Sequence, residues 1–257
     1  METLLLKLVL TPALIGGASL AARRWGHAIS GWLVGLPLTS GPIAFFLALE
    51  RGTSFAAAAA IGSLAGAVAE VAFCLTYAGV AVRVAWPIAL AFASVAFAVV
   101  AAAFPQSALS VVIAGASACV SLTVALYLVP RGGVRSAMPS PPRWDLPARM
   151  IIATVLVLAI TELAPVLGPR WSGVLATFPV YAAILTVFAH RTNVASAVEV
   201  LRGLLLGLFA FAAFFVVLAA LIERAGIAAA FAAAIVTALA IQAVSFALGV
   251  RSAPQRS

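Results

Sequence analysis

Long apolar runs, each about the length that crosses a bilayer, follow one another along this chain with only short clusters of Arg, Pro and Gly between them, and that pattern leaves few folds open. A helix spanning the hydrocarbon core needs about 20 mostly apolar residues. Breaking at those clusters gives runs at 4–21, 28–49, 54–79, 85–104 and 108–129. A stretch rich in Pro, Arg, Gly and Ser follows at 130–147 and reads as a loop. The remainder gives 148–168, 173–190, 196–222 and 225–250, for nine expected spans. Composition agrees, since 65% of the 257 residues are hydrophobic and 9% are charged, whereas a soluble domain is about half apolar and about a quarter charged. So few charges could not cover a soluble core of this apolarity, and the short loops leave no room for a separate soluble domain. The expected class is an all-α, polytopic membrane helix bundle.

The basic residues report topology. A formal charge of +8 would suggest nucleic acid in a soluble protein, but here Lys and Arg lie between apolar runs and form no patch or stripe, so no nucleic-acid partner is expected. With nine spans the termini lie on opposite faces. The N-terminal face receives Lys7, Arg51, Arg170 and Arg224. The other receives Arg23, Arg24, Arg83, Arg131, Arg135, Arg143, Arg149, Arg191, Arg202, Arg251 and Arg256. Four against eleven marks the second face as cytoplasmic by the positive-inside rule, with the N-terminus outside a bacterial-type inner membrane. Omitting 108–129 would flip the second half and spread the same charges almost evenly. The opening Met1-Glu2-Thr3 lacks the basic start of a secretory signal, and Arg23-Arg24 follows the first apolar run, so 4–21 reads as a retained span. Cys74 and Cys119 each fall inside an apolar run and are expected as small buried hydrophobes rather than as a disulfide.

The chain also matches itself. A shift of 142 residues lays 4–21 on 146–163, 28–49 on 170–191 and 85–104 on 227–246. In the second helix of each unit, Ser30, Gly31, Leu33 and Pro37 coincide with Ser172, Gly173, Leu175 and Pro179. A one-residue slip pairs Gly62-x-x-x-Gly66 with Gly203-x-x-x-Gly207. Five spans separate the two starts, so the units are inverted across the bilayer. The expected organisation is a first four-helix repeat at 1–104, an adaptor helix and loop at 105–147, and a second four-helix repeat at 148–257. Inverted repeats are common in secondary transporters, whose sites lie near the midplane where the repeats meet.

The stretch Ser172-Gly173-Val174-Leu175-Ala176-Thr177-Phe178-Pro179-Val180-Tyr181-Ala182-Ala183-Ile184 resembles the Phe-Pro helix of the GlpM-like family of small four-span membrane proteins. The similarity continues through Arg202 and Gly203 into the last run, so it covers the second unit. That family has one unit per chain, where this sequence has two and an adaptor. The first unit carries Gly35-Leu36-Pro37-Leu38-Thr39-Ser40-Gly41-Pro42 in place of Phe-Pro. The resemblance implies architecture and brings no biochemical activity with it.

Several residues could carry chemistry. The segment Gly35 to Pro42 puts two Pro, two Gly, a Thr and a Ser in the middle of a span. Proline removes a backbone donor and obstructs the carbonyl four residues back, and in lipid a freed carbonyl must find protein or cavity water. Two readings stay open: a kink healed by Thr39 and Ser40, or a break in which Gly35, Pro37, Thr39, Ser40 and Gly41 line a substrate or ion site. Thr177, Pro179 and Tyr181 occupy the equivalent place in the second unit, with a milder break. Glu70 lies well inside 54–79, where a charged side chain is costly and by default marks a pathway, relay or ion pair. Burial there favours its neutral form, so it could carry a proton through a transport cycle, or stay protonated in a hydrogen bond to a neighbouring helix. Glu162, about one turn from the outer end of its span, is expected to reach interfacial water. Glu199 and Arg202 share a helix face as a surface pair, with an anionic head group as the alternative partner for Arg202. Gln242, in the middle of the last run, suits an interhelical hydrogen bond.

The pattern offers no enzyme. His27 and His190 have no Cys or carboxylate at ligand spacing, and no Walker loop, dinucleotide fingerprint or His-Glu-x-x-His appears. No cofactor or metal is expected. The leading expectation is a secondary transporter or exporter of a small solute or lipid-like molecule, working by alternating access between the inverted repeats. Its partners would be the lipid bilayer and a small-molecule substrate or proton, with a homo-oligomer left open. A non-transporting accessory or assembly protein that docks through small-residue faces, and a passive channel, remain as alternatives.

Overall fold

The computed structural model describes residues 2–25, 37–104, 109–130 and 145–251, and among the described residues every regular element is an α-helix. In chain order these are α1 (Glu2–Trp25), α2 (Ser40–Arg51), α3 (Thr53–Val80), α4 (Trp86–Ala103), α5 (Val111–Leu128), α6 (Asp145–Ala176), α7 (Val180–Thr192) and α8 (Val194–Arg251). Gly35, the first part of the expected span 28–49 and nearly all of the expected loop 130–147 lie outside the described residues. Among the described residues, five stretches are long and apolar enough to cross a membrane: Thr53–Val80, Trp86–Ala103, Val111–Leu128, Leu146–Ala176 and Val194–Val244. Apolar side chains such as Val99, Val112, Val120 and Val166 point outward from them, and apolar surface on this scale marks contact with a membrane. The chain is a membrane-embedded helix bundle.

Single glycines fold its longest helices back on themselves. A straight α8 of 58 residues would be about 87 Å long, nearly three times the roughly 30 Å hydrocarbon core. Gly226 breaks it at φ 78, ψ 173. Beyond that point the chain returns, so that Phe209 and Ile241 line one groove and the rings of Phe214 and Phe231 lie 6.0 Å apart. Gly168 bends α6 in the same way at φ 73, ψ 169, and brings Ala176 into one apolar cluster with Val157, Ile160 and Ala164. Gly52, at φ 89, ψ 170, joins α2 to α3, with Ile43 and Leu47 packed near Phe55 and Ala59. This backbone region is essentially closed to residues that carry a Cβ. Where loops were expected between 148–168 and 173–190, and between 196–222 and 225–250, the turn takes one residue and helix runs up to it on both sides. The expected span 173–190 is itself cut, because α6 ends at Ala176 and α7 starts at Val180.

The hub of the bundle is α3. It packs against α2, α4, α5, α6 and α8, and is the most buried of the five apolar stretches. Around it, α1 lies on α6, while α5 and α7 lie on α8. Across the two expected units, α1 and α3 of the first pack on α6 of the second. Cys74 is buried in α3 as expected, but Cys119 is exposed on α5. That correction has a simple cause. The outer face of α5 meets lipid, and a thiol is apolar enough to sit there.

Candidate functional site

Helical spacing gathers a stripe on α3. Gly62, Gly66, Glu70, Cys74 and Tyr77 recur every three or four residues and so share one face. The glycines set how close the neighbour comes. A Cβ on Gly62 would strike the backbone carbonyl of Arg170, one on Gly66 the Thr177 hydroxyl, and one on Gly173 the Ala59 carbonyl. The two backbones touch, and Ser63 Oγ donates to the Gly173 carbonyl at 3.3 Å. Gly203 differs, because a Cβ there would meet nothing. Only the first of the two paired glycine motifs begins at a close approach. Further along, the Tyr77 hydroxyl lies 3.1 Å from His190 Nδ1. From Gly62 beside Arg170 to Tyr77 beside His190, α3 and the stretch 169–192 run in the same direction.

Of the two expected breaks, the second interrupts helix, and at the first the described residues resume at Pro37, ahead of α2. At the second, Thr177, Phe178 and Pro179 separate α6 from α7, with Pro179 at φ -79, ψ 53. The break is healed locally: Thr177 Oγ1 donates to the Val174 carbonyl at 2.6 Å, and the Thr177 and Phe178 amides bond to Val174 and Leu175 three residues back. Thr177 and Pro179 are buried, and the Phe178 ring meets Phe97 edge-on with centroids 5.2 Å apart. At the first break, Pro37, Leu38 and Thr39 precede α2, and the Gly41 amide donates to the Pro37 carbonyl at 2.7 Å. Ser40 and Gly41 are buried, with Gly41 facing Phe214. With a rise of about 1.5 Å per residue, α2 carries the chain roughly 18 Å from Gly52 back to Ser40. The same distance along α3 reaches about Leu64, next to the Gly66–Thr177 contact. The two breaks stand at one depth.

Glu70 lies one turn beyond Gly66 and is 5% exposed. Among the described residues, none hydrogen-bonds or ion-pairs with its carboxyl. Cys74, one turn further, is fully buried, as is Tyr77. His190, the partner of Tyr77, is half-buried, and its tautomer decides which atom donates. Thr186, one turn before His190 on α7, is fully buried, and among the described residues its hydroxyl has no partner. The Tyr181 side chain lies outside the described residues.

A second polar cluster escaped the sequence, where Lys7 counted only as a topology charge. Lys7 is 1% exposed. Its ammonium lies 2.7 Å from Glu50 Oε1 and 3.8 Å from Glu162 Oε1. It also donates to Thr161 Oγ1 at 2.9 Å and stands 5.8 Å from the centre of the Phe46 ring. Thr11, one turn along α1 from Lys7, was the available signal: two polar residues four apart inside an apolar run.

Glu162 is exposed on α6, at the edge of this second cluster. The remaining expected residues lie apart from both clusters. Arg202 reaches away from its own helix and donates to the Leu126 and Val129 carbonyls at 3.0 and 3.1 Å, which caps the C-terminal end of α5 with a cation. Glu199 is half-buried near the start of α8, and Gln242 is fully buried on its returning arm. Among the described residues no group of three His, Cys, Asp or Glu side chains is arranged to hold a metal ion. No family model matches the chain, and neither a curated protein nor a solved structure is significantly similar to it.

Proposed function

We propose that the protein is a secondary transporter of a small solute or lipid-like molecule, which passes at the level of the two helix breaks, with the Glu70 carboxyl as the proton-linked group. One juxtaposition carries this reading. Thr177, at the second break, sits against Gly66, and a buried carboxyl lies one turn further along the same face of α3. An ionisable group inside an apolar bundle is costly, and such groups mark substrate or proton pathways. Thr39 and Ser40 at the first break, and Thr177 and Pro179 at the second, would line the passage. Alternating access between inverted repeats belongs to the proposal, with nine crossings of a bacterial-type inner membrane and the N-terminus outside. The shared direction of α3 and 169–192 supports it, since an odd number of crossings must then separate them. The likeness to the GlpM-like family enters only as part of this proposed architecture.

The test is flux. Purified protein in liposomes loaded with a pH-sensitive dye, under an imposed potassium diffusion potential and with a panel of labelled solutes, is expected to move protons or a solute above the protein-free background. Glu70→Gln should abolish the proton-linked component. Unchanged proton flux in Glu70→Gln would remove Glu70 from the mechanism and favour a passive channel. The close crossing at Gly62, Gly66 and Gly173 favours a second reading, a non-transporting accessory protein that uses small-residue faces for docking. On that reading neither wild type nor variant moves anything.

A further inference from the structure

We propose that Lys7 is the bolt of a gate on the N-terminal face, holding α1 against α2 and α6 and closing the approach from that face to the breaks at Thr39 and Thr177. The inference rests on the transport reading, and adds to it the device that would control access.

The seating of α1 is the first argument. Leu4, Leu5, Leu6, Leu8 and Val9 of α1 are exposed, while Lys7 and Thr11 turn inward. Over this first stretch, residues 4–11, the inward face of α1 is made by Lys7 and Thr11 together with Leu10, which packs on the cluster of Ile43, Phe46 and Val157. Lys7 joins three helices at one point, with Glu50 at the end of α2 and Thr161 and Glu162 on α6. Glu50 is the far end of a short, straight lever, because α2 runs from it back to the Thr39 break. A pull or release at Glu50 is transmitted to Thr39.

The second argument is that the cluster has two states available. One ammonium serves two carboxylates, Glu50 at 2.7 Å and Glu162 at 3.8 Å. Glu162 is 74% exposed and Glu50 20%, so leaving the mostly buried Glu50 carries a cost, and the contact to Glu50 is the favoured, closed state. A small movement hands the bolt from α2 to α6. Such a discrete alternative is what a switching element requires. Thr11 adds to this. Its hydroxyl is fully buried without a partner among the described residues, an arrangement that carries a desolvation penalty, so the present seating of α1 leaves this polar group unsatisfied.

The experiment places a single cysteine at Thr39 (Thr39→Cys with Cys74→Ala and Cys119→Ala) in oriented vesicles. A membrane-impermeant maleimide is added on the N-terminal face. Lys7→Gln is expected to speed labelling at least about tenfold by shifting the population toward the open form. The charge swap Lys7→Glu with Glu50→Lys should bring the rate back toward that of the parent. Glu162→Gln removes only an exposed partner, leaves Lys7 on Glu50, and should slow labelling. Parent-like labelling in both Lys7→Gln and Glu162→Gln, or a swap that labels as fast as Lys7→Gln, overturns the gate. If Lys7→Gln does not fold, unchanged labelling in Glu162→Gln overturns it alone. Labelling that responds to Lys7 in a protein that moves no solute or proton would sink the transport reading and keep the gate. Normal flux with unresponsive labelling would sink the gate and keep transport.

Discussion

A Cβ on Gly66 collides with the Thr177 hydroxyl, so Gly66→Ala should push α3 away from the second break. Overpacking of this kind costs about 1–3 kcal/mol, read as a lower thermal midpoint in detergent. Gly79→Ala on the same helix meets open space and should be neutral or slightly stabilising, because alanine is the better helix former. Combining Gly66→Ala with Thr177→Ala removes the colliding oxygen, so the pair should cost less than the sum of the single changes. Strict additivity would mean that the two residues do not touch. At this scale the sequence was legible where spacing is local. Gly62, Gly66 and Glu70 stand out in one helix because their intervals are helical. Lys7 did not, because its partners Glu50 and Glu162 come from other helices, and no local pattern joins them. Arg202 stood out, but these partners were hidden for the same reason, since the carbonyls it reaches belong to α5.

Among elements, the decisive feature is the one-residue turn. Gly52, Gly168 and Gly226 adopt nearly the same backbone, and a Cβ at any of them would meet no other atom. The penalty for a side chain there is therefore conformational, not steric crowding by a neighbour. Gly226→Ala should cost about 1–3 kcal/mol and lower the thermal midpoint, while Gly203→Ala, in a helical setting with equally open space, should not. Equal effects at both positions would mean that the positive φ at Gly226 is not held. The sequence located these turns to within a few residues from Gly, Pro and Arg clusters, since such residues end apolar runs. It could not show that one residue suffices, because glycine is compatible with both signs of φ and only the packing of the two arms selects the positive one. The cut at Thr177–Pro179 was legible from its proline. Its repair by the Thr177 hydroxyl depends on a rotamer that packing against Gly66 selects.

For the whole molecule the question is which way each arm crosses. The positive-inside split was read from charges alone, and the helix directions offer an independent route to the same topology. If α2–α3 and the two arms of α8 are hairpins in a chain that alternates faces, Arg51 and Glu223, each beside a turning glycine, lie on the face of the N-terminus. Arg83, after α3, and Thr192, at the end of α7, lie on the other. All four are exposed, so single cysteines there, with Cys74 and Cys119 replaced by alanine, can be labelled by an impermeant maleimide from each side in turn. Positions 51 and 223 should react from the N-terminal side, and 83 and 192 only from the opposite side. Labelling of 51 and 223 from opposite sides would mean an odd number of crossings between the α2–α3 and α8 turns. The second unit would then no longer be inverted against the first, and the depth shared by the breaks at Thr39 and Thr177 would lose its meaning for transport. Agreement would leave α3 as the one helix that carries the buried acid, touches one break and stands level with the other, which is where a coupling group has to be if one unit rocks against its inverted mate.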